Sequence, residues 1–275
     1  MSQSADSKSQ NELVKTDLQH RVPATLGEKF ERLAKIVEVL RAECPWDRKQ
    51  TPDSIVHLTL EEIYELIHAV DTGDDMEVKK ELGDILLHIC FQALFAKEQK
   101  KFQIEDVLDA IAEKLIFRHP HVFGNVQADT EETVVKNWEQ LKMKEGRKSV
   151  LDGVPRVMPE LLRAYRVQEK ASGVGFDWNH IDGVWEKLHE ELNELRTADT
   201  PEQREEELGD LLFTIVNYSR FIKVSPEDAM RKATEKFMSR FLKVEEMVGA
   251  SKKPWQDYTL EELDVFWNKA KFDGK

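Results

Sequence analysis

One acidic signature occurs twice in this chain, and it restricts the backbone that can carry it. The first copy reads Glu61-Glu62-x-x-Glu65 and then Glu81-x-x-Asp84; the second reads Glu190-Glu191-x-x-Glu194 and then Glu207-x-x-Asp210. Carboxylates three residues apart share a face on an α-helix, whereas on a strand they point to opposite sides. Each copy therefore calls for two successive helices with acidic faces, that is, a helical hairpin. Carboxylates gathered in one place repel each other, which costs stability unless a cation neutralises them. So unfavourable an arrangement, present in duplicate, points to a hard-metal site.

The remainder of the sequence is also helical in character. Apolar residues recur at helical spacing nearly everywhere, and no run of period-two alternation reads as a strand. Only 12 glycines and 9 prolines occur in 275 residues, which argues against an all-β or disordered chain. The expected class is all-α. The spacing predicts helices over Leu26–Glu43, from Thr51-Pro52 (as N-cap and first turn) to about Asp71, and over Asp75–Gln99 and Ile104–Phe117. Thr130-Glu131-Glu132 opens another through Trp138 towards Glu145. Further helices are expected over Pro159–Ser172, Ile181–Arg196, Glu202–Phe221, Pro226–Val248 and Leu260–Ala270. Gly146 to Pro155 reads as a linker. The expected division is a loose polar tail over 1–22, an N-terminal helical domain over 23–148 and a C-terminal one over 149–275.

The two domains look like copies of each other. Glu190 lies 129 positions after Glu61, while Glu207 and Asp210 lie 126 after Glu81 and Asp84. The difference falls between the paired helices, where changes of length are tolerated. Lys114 and Arg118 answer to Lys236 and Arg240, and Glu131-Glu132 with Trp138 answers to Glu261-Glu262 with Trp267.

The formal net charge of −13 argues against a nucleic-acid backbone or an anionic membrane as partner. Two cysteines, Cys44 and Cys90, make no disulfide framework, and residues 1–20 lack the apolar core of a secretory signal, so a reducing cytoplasm is the expected location. The most apolar stretch, Ile85–Ala96, is short and interrupted by His88 and Gln92; it reads as a buried helix and not a membrane span.

Glutamates at helical spacing are common on solvated faces. Here, however, they are embedded among Leu82, Ile85, Leu86, Leu87 and Ile89, and among Leu208, Leu211, Leu212 and Phe213. Gly83 and Gly209 precede the two aspartates although glycine within a helix costs ~1 kcal/mol against alanine; close approach of another helix or of a ligand would explain them. An all-oxygen donor set suits Mg²⁺ or Mn²⁺ and polyphosphate chemistry. A further carboxylate beside the ligands could hold or deprotonate an attacking water. Glu65-x-x-His68, with His88 four residues after Asp84, imitates the di-iron helical bundles. The second copy has Thr197 and Thr214 at those positions, so the carboxylates repeat and the imidazoles do not.

Several longer stretches accompany the carboxylates: Leu82-Gly83-Asp84-Ile85-Leu86, Leu208-Gly209-Asp210-Leu211-Leu212, Cys44-Pro45-Trp46-Asp47, Arg118-His119-Pro120-His121-Val122-Phe123 and Val174-Gly175-Phe176-Asp177-Trp178. With them the chain resembles the MazG family of nucleoside triphosphate pyrophosphohydrolases, in its long tandem bacterial form. The resemblance implies helical bundles assembled across a homodimer. It also implies Mg²⁺-dependent hydrolysis of ribo- and deoxyribonucleoside triphosphates to monophosphate and pyrophosphate, with water attacking the α-phosphorus, in the service of nucleotide-pool housecleaning. Carried onto this sequence, it makes Glu191, Glu194, Glu207 and Asp210 the metal ligands of the second half, and Glu62, Glu65, Glu81 and Asp84 those of the first. Glu190 and Glu61 become the water-orienting bases. Lys187, Lys236 and Arg240 lie near the phosphates, and Asn217 and Trp267 belong to the nucleotide pocket. The halves are unequal: Leu58 stands where the second half has Lys187, and Phe91 where it has Asn217, although Lys114, Arg118 and Trp138 persist. The C-terminal site is therefore expected to carry most of the turnover. Two alternatives stay open: a narrower all-α hydrolase of dUTP, dCTP or phosphoribosyl-ATP, and a non-catalytic helical adaptor whose acidic faces bind a basic partner.

Overall fold

The structure is a computed structural model that describes residues 15–20, 22–126, 130, 148–251 and 253–272. Among these every regular element is helical. The chain divides into two compact units, Met1–Val126 and Gln127–Lys275. The helix expected from Thr130 towards Glu145, with Trp138, lies outside the described residues, as does most of the tail over 1–22.

In the first unit α1 spans Leu26–Glu43, α2 Val56–Thr72, α3 Asp75–Glu98 and α4 Ile104–Arg118. A capping box starts α1: the Thr25 hydroxyl accepts from the Glu28 N–H, and the Glu28 carboxylate accepts from the Thr25 N–H. Thr51-Pro52 does not open α2 as expected. Thr51 and Ser54 instead satisfy each other, each backbone N–H donating to the other's hydroxyl, and this local turn delays the helix to Val56. The α2–α3 turn is built from two complementary devices. Gly73 takes a left-handed φ of 71° and donates its N–H to the last carbonyls of α2, and the Asp74 carboxylate caps α3 by accepting from the Met76 and Glu77 N–H groups. One short helical turn, Pro120–Phe123, continues after α4 where the sequence suggested only a stop.

The second unit holds α5 (Glu160–Gly173), α6 (Ile181–Thr197), α7 (Pro201–Phe221), α8 (Pro226–Ser251) and α9 (Leu260–Phe272). Between α6 and α7, Thr200 and Gln203 form a capping box with Pro201 in the first turn. α6 packs on α7, α5 on α7 and α8, and α8 on α9. Each unit thus contains a tight acidic hairpin, α2–α3 or α6–α7, backed by an earlier helix, α1 or α5. In the first unit the backing interface is a core of Val37, Ile55, Cys90, Phe91 and Phe95, with Leu58 and Leu87 packed against it. A separate core in the second unit joins α8 to α9 through Val244, Val248 and Ala270. No helix among the described residues is long and apolar enough to cross a membrane.

Candidate active site

Helices α6 and α7 bring the second acidic set together. Glu191, Glu207 and Asp210 each place a carboxylate oxygen within 4.8 Å of the others, and Glu190, Glu191 and Glu194 form an overlapping group. Glu191 belongs to both groups and is only 3% exposed. One of its oxygens pairs with Lys187 at 2.5 Å; the other is buried without a partner. Lys187 also donates to Glu190 at 2.7 Å, and the two carboxylates hold its ammonium well above the usual lysine range. Glu207 has no such cation. Its burial and the neighbouring Glu194, Glu191, Glu206 and Asp210 push its carboxyl up.

In the first half Glu62, Glu81 and Asp84 lie within 4.8 Å of one another. The deepest carboxylate here is Glu81, 1% exposed, with one oxygen on Lys80 at 2.7 Å and the other buried and unpartnered. Lys80 also reaches Glu77 at 3.4 Å and Glu65 at 4.0 Å. Its hydrogen bond holds the Glu81 carboxyl low, while burial and the facing Glu81 and Asp84 push Glu62 up to about 7. The two halves have therefore exchanged roles. The lysine-paired buried carboxylate is on the second helix of the first hairpin and on the first helix of the second. The position of Lys80, 126 residues on, is Glu206. That reversal of charge at one register was the available sequence signal for Lys80, and the motif comparison passed over it.

Both clusters suit a hard divalent cation. Each presents an orphaned, buried carboxylate oxygen that water does not reach, and burying such an atom is costly without a partner. The donors are all oxygen, and among the described residues no histidine joins either group. His68 is exposed on α2, and burial pushes His88 below the ordinary imidazole range.

Beside the second cluster lies a pocket of about 600 Å³, walled by Lys187, Glu191 and Asp210 at the carboxylate end and by Phe176, Trp178 and Phe213 along its apolar sides. Gln168, Asn217, Asp177 and Arg220 supply its polar groups. Arg220 donates to Asp177 at 2.5 Å and to the Asn217 side-chain oxygen at 2.9 Å, which turns the Asn217 amide nitrogen away from the guanidinium. Burial alone would raise the Asp177 carboxyl, but Arg220, the Ser172 hydroxyl and the Trp178 N–H hold it below the usual carboxylate range. Trp178 packs closely on the start of α6 because position 183 is glycine: a Cβ there would sit 2.5 Å from the indole Cδ1. In the first half the corresponding Leu58 and Phe91 belong to one apolar core. One opening there, of about 710 Å³, also adjoins the carboxylates but is lined differently, by Glu61, Glu65, Tyr64, His68 and Glu81 among others.

A sequence profile of the MazG nucleotide pyrophosphohydrolase domain matches residues 50–123, which contain the first acidic hairpin. A Thermotoga maritima protein, named nucleoside triphosphate pyrophosphohydrolase/pyrophosphatase MazG, is 49% identical over 247 residues, covering 88% of this chain and 95% of its own length. The Escherichia coli K12 nucleoside triphosphate pyrophosphohydrolase is 39% identical over 254 residues, covering 88% of this chain and 97% of its own. The Bacillus subtilis protein YabN, described as uncharacterized, is 39% identical over 90% of this chain, which spans 52% of YabN. The chain belongs to the MazG family.

Not every residue carried over from the MazG resemblance meets the carboxylates. Lys187 and Asn217 do share a wall with Glu191 and Asp210. Lys236, Arg240 and Trp267 sit on the α8–α9 hairpin, with Arg240 6.0 Å over the Trp267 ring and Phe237 5.2 Å from it, and none of the three lines the pocket. Gly83 and Gly209 have open space where a Cβ would stand, so no close approach within the chain accounts for them. Gln168, Arg220 and Gly183 were missed. They belong to no acidic motif: Arg220 lies on α7 a turn past Asn217, Gly183 lies in the first turn of α6 against Trp178, and Gln168 reaches the site only because α5 packs on α7.

Proposed function

We propose that this protein hydrolyses nucleoside triphosphates, ribo- and deoxyribo-, to the nucleoside monophosphate and pyrophosphate, using Mg²⁺ (or Mn²⁺ in its place) at the second-half site. The observation that carries the reading is Glu191: a buried carboxylate with one oxygen on Lys187 and the other unpartnered, at the mouth of a 600 Å³ pocket. Glu191, Glu194, Glu207 and Asp210 would hold the ion, and Glu62, Glu65, Glu81 and Asp84 a second one in the first half. When bound, Mg²⁺ supplies charge neutralisation for the polyphosphate and lowers the proton affinity of nearby water.

The chain's own groups do the remainder. Glu190 is exposed beside Lys187 and takes a proton from the water that attacks the α-phosphorus. The bond from the α-phosphorus to the bridging oxygen breaks, and pyrophosphate leaves. Lys187 neutralises Glu190 and Glu191 and turns to the phosphates when they arrive. Phe176 and Trp178 offer apolar faces for a base, and Asn217 a directed amide. Glu61 is the matching base of the first half, where Leu58 and Phe91 withhold the cation and the amide; most of the turnover belongs to the second.

Residues 23–148 and 149–275 are read as two copies of one helical unit. A homodimer is supported by matching apolar residues exposed on the second helix of each hairpin: Leu82 and Ile89 on α3, Leu208, Leu212 and Ile215 on α7. Lys236, Arg240 and Trp267 are assigned to substrate binding through the resemblance. A nucleotide-processing role also fits a chain with net charge −13, whose own field needs a divalent cation to admit a polyanion. The cytoplasm is the corresponding location.

The test is product identification. With Mg²⁺ and a panel of nucleoside triphosphates, the expected products are monophosphate and pyrophosphate, abolished by EDTA. Diphosphate with orthophosphate, or no turnover of any nucleotide, would overturn the reading.

A further inference from the structure

Gln168 on α5 is a polar side chain with no place in the metal chemistry, yet it is 6% exposed. Its side-chain nitrogen donates to the backbone carbonyl of Phe213 on α7 at 2.8 Å. A carbonyl can only accept, so this bond fixes which way round the amide sits. The side-chain oxygen is thereby turned away from Phe213. It is buried and has no hydrogen-bond partner, and Gln168 is part of the pocket wall. A neutral acceptor buried in that way is expensive unless a donor meets it. Of the neighbouring pocket groups, Lys187 is held by Glu190 and Glu191, and one terminal nitrogen of Arg220 by Asp177 and Asn217, while the Arg220 Nε is itself a buried donor with no partner among the described residues.

Position along α7 tells what kind of donor reaches it. Phe213 is three residues beyond Asp210, about one helical turn or 5 Å from the last carboxylate, and Asn217 is a further turn along. A triphosphate held at the carboxylates presents its nucleoside, and not its phosphates, at that depth. We infer that the Gln168 side-chain oxygen, fixed by the Phe213 carbonyl, accepts a hydrogen bond from a donor on the nucleoside of the substrate and so sets which nucleotides the second-half site prefers. In an adenine nucleoside two parts carry such donors, the exocyclic amino group of the base and the sugar hydroxyls. The inference rests on the nucleotide-hydrolase reading given above.

The experiment compares kcat/KM of the full-length protein with Mg²⁺ on ATP and on three analogues that each lack one donor: purine riboside triphosphate (no amino group and no ring N–H), 2′-deoxy-ATP and 3′-deoxy-ATP. The wild-type protein is expected to disfavour one of them by about tenfold or more, the effect of leaving a buried acceptor unmet. In Gln168→Met, which keeps the length and apolar stem of the side chain but offers only a weak sulfur acceptor, that ratio should fall to near one, the loss lying on ATP. Which analogue responds names the amino group or the hydroxyl. Equal kcat/KM for all four nucleotides on the wild-type protein overturns the inference and leaves the hydrolase reading intact, and it does so even if the variant folds poorly. A ratio that survives in Gln168→Met overturns it as well. Should the wild-type protein cleave no nucleotide, the hydrolase reading falls and the inference falls with it.

Discussion

Hairpins α2–α3 and α6–α7 start from the same carboxylate pattern and solve its electrostatics in opposite ways. In the first, a lysine on the second helix neutralises Glu81, and Glu62 across from it is pushed up to about 7. In the second, Lys187 on the first helix neutralises Glu191, and Glu207 across from it is pushed up. A cluster of carboxylates needs one cation close by, and either helix can provide it. What differs is where that cation leaves the chain facing. Lys187 lines a pocket shared with Asn217 and the aromatic Phe176 and Trp178, whereas Lys80 lies between Glu65, Glu77 and Glu81, which line a differently built opening, and apolar Leu58 and Phe91 stand where Lys187 and Asn217 are in the second half. The lesson is that one carboxylate pattern can adjoin two pockets of different lining.

The sharpest way to break this comparison is to disable one cage at a time. Glu191→Gln should lower kcat for pyrophosphate release by about a hundredfold or more, since even groups behind metal ligands cost ten- to a hundredfold when lost, while Glu62→Gln should leave most of the turnover. The reverse result would assign the work to the first half. The next test exchanges the residues that distinguish the pockets. Phe91→Asn should lower stability in urea by about 3 kcal/mol or more, because a large apolar side chain leaves a packed core and an amide is left there without partners, and it should not raise hydrolysis. Asn217→Phe should instead lower kcat/KM by about tenfold, with a small change in melting temperature, because it fills a pocket and not a core. Comparable stability losses in both variants would erase the distinction.

The smallest effect concerns pH. Asp177 has a folded-state pKa held below its ordinary value, so its tie to Arg220 contributes stability that is fully present above the unfolded carboxylate pKa of about 3.9 and is lost as pH falls through the folded value. The urea midpoints of wild type and Asp177→Asn should therefore differ by a constant amount from pH 6 to 8 and converge below about pH 4. A gap that does not narrow at all as pH falls below about 4 would assign the difference to packing and not charge.

Much of this was legible from the chain alone. Helical period, scarcity of glycine and the repeated E-E-x-x-E and E-x-x-D motifs mark α2, α3, α6 and α7 and put their carboxylates on facing sides. The substitutions Leu58 for Lys187 and Phe91 for Asn217 were visible too. What they mean physically was not: that Leu58 and Phe91 share one core depends on α1 lying across the hairpin. The start of α2 was misread because Thr51 and Ser54 spend their side chains on each other, a local preference that a capping pattern does not register. Gln168 and Gly183 were invisible for a related reason. Their roles come from what lies opposite, the Phe213 carbonyl and the Trp178 ring, and sequence spacing carries no record of opposite surfaces.

The shared core around Leu58 and Phe91 also makes the difference between the halves hard to undo over generations. Lysine at 58 or asparagine at 91 alone would set a polar group against the core of Val37, Ile55 and Phe95. Either substitution made singly thus costs stability. The packing works as a ratchet that holds Leu58 and Phe91 apolar together.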